Sequence, residues 1–192
     1  MRSAIFLSVI AVIATNARAM DEPTSSASAS ASASAVTMTE PMFDCYRANS
    51  AWGFTLSGKV IDSKGDIWSY GRHGQAWLPT RIEEAGASYL TASELQAKFV
   101  DAKQIGKIEA KALADNSALI AKAAEGKVTQ TDTGTRDAGA STCHAYIRDE
   151  AKQRYRDIDL GSDGGVSDVR ITNAASEAQT LLIWLKSVSA AN

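Results

Sequence analysis

The sequence predicts an α+β domain: an antiparallel sheet from two β-hairpins with about three helices on one face, in the order ββ-αα-ββ-α. Three observations lead there. Two stretches alternate with a period of two and fold back through a polar turn, and apolar stripes at helical spacing lie between and after them. No strand-helix-strand repetition, the builder of parallel sheets, is present.

The first hairpin is read from "AWGFTLSGKVIDSKGDIWSYG", residues 51–71. Trp52, Phe54, Leu56, Gly58 and Val60 alternate with Gly53, Thr55, Ser57, Lys59 and Ile61, the period of a half-buried strand. Asp62 and Gly65 then take the first and fourth places of a type I turn closed by a glycine bulge. Counting back from the turn sets Ile61 opposite Ile67, Val60 opposite Trp68 and Gly58 opposite Tyr70. The tyrosine ring would cover the gap the glycine leaves.

Two helices are expected next. Thr91 and Glu94 form a capping box for "TASELQAKFVDAK", whose Leu95 and Phe99 share a face; Gly106 interrupts it. A second helix over residues 107–125 carries Ile108, Ala112, Leu119, Ile120 and Ala123, with Gly126 just past its end. Residues 127–137 read as a polar loop. The second hairpin pairs "STCHAYIRD" with "RYRDIDL" across "DEAKQ". After the loop "GSDGG", Asn173 caps a last helix with the stripe Ala178, Leu181, Leu182, Leu185 and Val188, Trp184 beside it.

Outside this domain, residues 1–19 read as an export signal. Arg2 supplies a positive start, residues 4–14 an apolar run too short to span a bilayer, and Ala17-Arg18-Ala19 a small-x-small cleavage pattern. Residues 20–41, with "SSASASASASA", read as a disordered tail. A methyl group at every second position buries too little area to offset backbone ordering of roughly 1–2 kcal/mol per residue. Residues 42–192 then form one ordinary domain. The chain carries 20 Lys and Arg against 22 Asp and Glu; without Arg2 and Arg18 the mature charge is −4. An acidic chain with no basic stripe argues against nucleic acid as a partner, and no long apolar run argues for membrane insertion after cleavage.

Cys45 and Cys143, both in the exported part, are expected to form a disulfide in an oxidising periplasmic or secreted setting. The competing reading makes Cys143 a nucleophile beside His144. Neighbours on a strand point to opposite faces, so the disulfide is preferred. His73 and His144 belong to no zinc pattern, and no cofactor is implied. "DSKGD" and "DLGSDGGVSDVR" loosely suggest calcium loops. Lys64 and Arg170 stand where ligand oxygens belong, and ordinary turn chemistry explains both stretches.

The remaining candidate is "YGRHGQAWLPTR", which joins Arg72, His73, Gln75, Trp77 and Arg81 in a loop after the first hairpin. Arg and Trp are the usual interface anchors, so Arg72, His73, Trp77 and Arg81 form a candidate binding site for a protein or envelope component. The alternative is a connection whose Trp77 and Leu78 dip into the core.

"WGFTLSGKVIDSKGDIWSYG", with "DAGAS" ahead of a strand and a closing "WLKS" helix, resembles small exported bacterial proteins of unassigned function. These share a hairpin of the form W-G-x4-G-x2-I-D-x2-G-x-I-W-x-Y. The resemblance implies export and a single domain, and carries over no catalytic residue. The expected function is a non-enzymatic binding or accessory protein of the bacterial envelope. The alternative is a small exported hydrolase whose carboxylates, for instance Asp66 and Asp137, converge in the fold; a retaining glycosidase needs two carboxyls about 5–5.5 Å apart.

Overall fold

The computed structural model describes residues 37–191. The proposed export signal and most of the Ser/Ala tail lie outside the described residues. The tail's last residues do not: Met38 packs into an apolar cluster, the Thr39 N–H donates to Asp62 at 3.1 Å, and Pro41 opens the first strand. The domain's packing therefore includes residues ahead of position 42.

Strands β1 (Pro41–Asn49), β2 (Thr55–Asp62), β3 (Asp66–His73), β4 (Ile82–Glu84) and β5 (Ala87–Thr91) precede helix α1 (Ala92–Lys98). Strand β6 (Lys103–Lys107), helices α2 (Ala110–Ser117) and α3 (Ile120–Ala123), and strands β7 (Val128–Asp132), β8 (Ala140–Asp149), β9 (Arg154–Gly161) and β10 (Val169–Asn173) follow. Helix α4 (Ser176–Ala191) closes the domain. All the strands among the described residues belong to one ten-stranded sheet. Its main path runs β4-β5-β9-β8-β1-β2-β3-β6, and β10 ties β7 to β9. Every ladder is antiparallel.

The α+β class and the antiparallel sheet hold; the finer layout is corrected. Both expected hairpins form, but they are not neighbours, because β1 lies between β2 and β8. That strand buries residues on both faces, Phe43 on one and Asp44 on the other, so it carries no clean alternation. The β2–β3 register is as counted, with Ile61 opposite Ile67, Val60 opposite Trp68 and Gly58 opposite Tyr70. A methyl group on Gly58 would come within 2.7 Å of the Tyr70 hydroxyl, so the ring does lie over the glycine.

Gly106 falls within β6, a polar edge strand along β3, rather than interrupting a helix. The long helix expected over 107–125 is two pieces. The Asn116 side chain donates to the Ala112 carbonyl and the Ser117 hydroxyl to the Ala114 carbonyl, competing with the helical ladder where α2 stops. Part of the expected loop at 127–137 is β7, paired with β10.

The helices are also not on one face. Phe43, Ile61, Ile67, Ala145, Ile158 and Leu160 point to the side covered by α3 and α4. Leu56, Val60, Trp68, Tyr70, Tyr146 and Tyr155 point to the other, covered by Leu95 of α1 and Phe99 just past its end. The α1 capping box forms as read, the Thr91 side chain accepting from the Glu94 N–H while Glu94 returns to the Thr91 N–H. Asn173 ends β10, and its side-chain oxygen accepts from the Ala175 N–H just ahead of α4.

Candidate functional site

The face beneath α1 holds a group of charges rare in a protein interior. Alternation along β1 points Asp44 and Tyr46 to this side; along β8 it points His144 and Tyr146 there, and along β9 Asp157 and Asp159. Lys98, in the last turn of α1, comes down onto them and is 1% exposed, while Asp44 is fully buried.

The Lys98 ammonium bonds the Asp44 carboxylate and lies 3.4 Å from the Tyr146 hydroxyl. The Tyr70 hydroxyl donates to Asp44 Oδ1 at 2.5 Å and the Tyr146 hydroxyl to Oδ2 at 3.2 Å. Three aromatic rings enclose the cation, with Tyr46, Trp77 and Phe99 centroids at 3.7, 4.5 and 5.6 Å from Nζ. Burial pushes Lys98 below its ordinary value, with Asp44 opposing it. Burial, reinforced by Asp44, raises Tyr70 and Tyr146 well above theirs, so both hydroxyls stay protonated donors.

A second buried pair adjoins the first. His144 Nδ1 lies 2.7 Å from Asp157 Oδ1 and 3.3 Å from Asp159 Oδ1, the position of an N–H donor between two carboxylates. Tyr46 and Tyr146 stack on the imidazole at 5.4 and 6.5 Å, and its Nε2 is buried without a hydrogen-bond partner. Arg81, partly exposed, bonds the other oxygen of Asp157 and brings the network to the surface. Burial opposes the imidazolium, but Asp157 and then Asp159 outweigh it and hold His144 above its ordinary value. Burial likewise opposes the Asp157 carboxylate. His144 and then Arg81 prevail and hold it well below the usual carboxylate range.

The loop singled out from the sequence roofs this cluster. The Trp77 indole N–H donates to the Glu94 carbonyl at 3.0 Å and its ring covers Lys98. Arg72 donates to the Ala97 carbonyl, and Arg81 is held by Asp157. Those three side chains are turned to the domain, whereas His73 and Gln75 are exposed. Leu78, expected to accompany Trp77 inward, is exposed as well.

Asp66 and Asp137 do not meet. Asp66 starts β3, paired with Lys107; Asp137 lies beside Asn49, which pairs with Thr55 and through it with His73, where β3 ends. The eight residues of β3 separate them. Asp62 of the first suggested calcium loop instead accepts from the N–H groups of Lys64 and Asp66 and from the Trp68 indole. In the second, Asp163 accepts from Gly165 and Ser141.

The sequence reading missed two features. The inward charges were legible only as polar residues alternating along strands; Lys98, three residues after Leu95 within an apolar stripe, was the one local sign. The other is Trp52, which is not a strand residue. It sits in the turn joining β1 to β2 and is 92% exposed. The turn is pinned on both sides: the Asn49 side chain accepts from Ala51 and donates to the Asp137 carbonyl, and the Gly74 N–H donates to the Phe54 carbonyl. A groove of about 490 Å³, lined by Asn49, Ala51, Asp137, Gly139 and Asp168, opens beside it.

Compared with known protein families, curated proteins and solved structures, the chain matches none.

Proposed function

We propose that this is an exported, non-enzymatic binding module of the bacterial envelope, whose contact surface for a protein partner is the Trp52 tip with the adjoining His73–Gln75 stretch. The observation that carries the reading is Trp52 itself, a large aromatic almost wholly in solvent on a turn held from both sides. A turn whose backbone is already held needs less ordering on binding, and tryptophan is among the residues enriched at the hot spots of interfaces. The Cys45–Cys143 disulfide is compatible with an oxidising compartment. In this reading Arg72, Trp77 and Arg81 shape the loop from within, and His73 is the member of the original four that meets the partner.

The test uses a partner captured from an envelope extract, identified by mass spectrometry and purified. Trp52→Ala should weaken its Kd about thirtyfold, the equivalent of ~2 kcal/mol, with an unchanged melting temperature. Trp77→Ala serves as the contrast, lowering the melting temperature instead. A Kd that Trp52→Ala leaves untouched removes the tip from the interface and the reading with it.

A further inference from the structure

Asp44 and Lys98 pose an energetic problem in ionised form. Each is sealed from water, and desolvating a carboxylate and an ammonium costs several kcal/mol apiece, which mutual attraction recovers only in part. A proton passing from the ammonium to the carboxylate removes both charges and leaves an amine lone pair against a carboxylic acid. We propose that the two side chains then condense into an intramolecular amide, Lys98 Nζ bonded to Asp44 Cγ, as a self-catalysed modification of the folded domain.

The atoms balance without any further reactant. Nζ attacks Cγ, and the carbonyl oxygen becomes the oxyanion of a tetrahedral intermediate. Lys98 contacts Oδ2, so that oxygen takes the proton and Oδ1 becomes the oxyanion, which the Tyr70 hydroxyl stabilises by donating to it; Tyr146 donates to Oδ2, the oxygen that leaves. Oδ2 already carries the proton received from the ammonium. It takes a second from the nitrogen and leaves as water, so an ammonium and a carboxylate become one amide and one water.

In bulk water this condensation runs uphill. In the domain the reacting groups are in contact, and well-oriented intramolecular reactions reach effective molarities of about 10⁵–10⁸ M. Asp44 is fully buried and the Tyr46, Trp77 and Phe99 rings surround Nζ, so bulk water is kept from the pair.

Among the described residues the other carboxylate pairs lack this combination. Asp157 faces an imidazole and a guanidinium, and the Lys107 that holds Asp66 is 61% exposed. The bond also has a place in the architecture. Asp44 and Cys45 are consecutive on β1 and face opposite sides, so the amide ties β1 to α1 on one face and the disulfide ties β1 to β8 on the other.

The purified protein, reduced and denatured, is analysed by intact mass and by fragmentation of a protease digest. The expected result is a mass one water below that of the sequence from its measured N-terminus, with a branched peptide joining the segments around Asp44 and Lys98. Lys98→Arg keeps the charge pair but should appear at full mass. Asp44→Asn should yield the wild-type product by losing ammonia instead of water, an outcome that a purely structural ion pair does not produce. Wild-type protein at full mass with separate, unmodified peptides overturns the proposal. So does a water loss that persists in Lys98→Arg, which would place it elsewhere, as in a succinimide at Asp163-Gly164.

Discussion

Asp157 shows how one buried carboxylate sets the charge of its neighbours. His144 and Arg81 hold it well below the usual carboxylate range, and it in turn raises His144 above its ordinary value against the cost of burial. The two shifts act on stability at opposite ends of the pH scale. The folded state raises His144, so that contribution is complete below the unfolded value of about 6.5 and is lost as pH rises through the folded one. Asp157 is depressed, so its contribution is complete above about 3.9 and is lost as pH falls. The pair therefore favours the fold most between about pH 4 and 6.5. We expect Asp157→Asn to cost roughly 3 kcal/mol near pH 6 and to flatten both flanks, measured as melting temperature against pH. A mutant profile parallel to the wild type would show that the pair does not shape it.

At the scale of elements, the β2–β3 hairpin carries its own instructions, and its weakest point in isolation is Gly58. A side chain there would approach the Cys45 carbonyl at 2.6 Å, the Tyr70 hydroxyl at 2.7 Å and Tyr46 Cβ at 2.8 Å. The first is backbone across the β1–β2 ladder, which has Gly58 opposite Tyr46, so relief requires the strands to part or Tyr70 to leave Asp44. Gly58→Ala raises strand propensity yet should destabilise the domain by about 1–3 kcal/mol in urea unfolding. A neutral or stabilising outcome would mean that local propensity outweighs the packing of Tyr70. The edges behave differently: β6 and β7 are polar, mostly exposed strands that exist because β3 and β10 offer them a ladder.

For the whole molecule the disulfide matters most, because it joins residues 98 apart on strands at the centre of the sheet. Cys45 and Cys143 are register partners in the β1–β8 ladder, with Cα atoms 4.0 Å apart. In the chain-entropy model a loop of this length is worth at most about 4.7 kcal/mol. We expect reduction to lower the free energy of unfolding by up to that amount, measured in urea with and without reductant. The secondary structure at zero denaturant should persist, since two apolar layers still cover the sheet. Collapse of the fold on reduction alone would show that those layers are insufficient.

The sequence by itself determined whatever depends on residues close along the chain or on a single period. The register of β2 against β3, the capping box of α1 and the inward stripe of α4 belong to that class; the disulfide, between residues 98 apart, was legible for a different reason, that the chain has two cysteines. Tertiary structure decided what depends on two-sided burial and distant partners. β1 went unread because a central strand packed on both faces shows no alternation, and it holds Asp44 where propensity would resist a charge. The division of the helices between faces depends on which side of the sheet each crossing takes, which no local pattern encodes. Nothing within its own helix pairs Lys98; Asp44, 54 residues earlier, and the rings of Tyr46 and Trp77 make its position interior. A side chain's protonation and reactivity are set by the dielectric and the partners around it, and both exist only once the chain has folded.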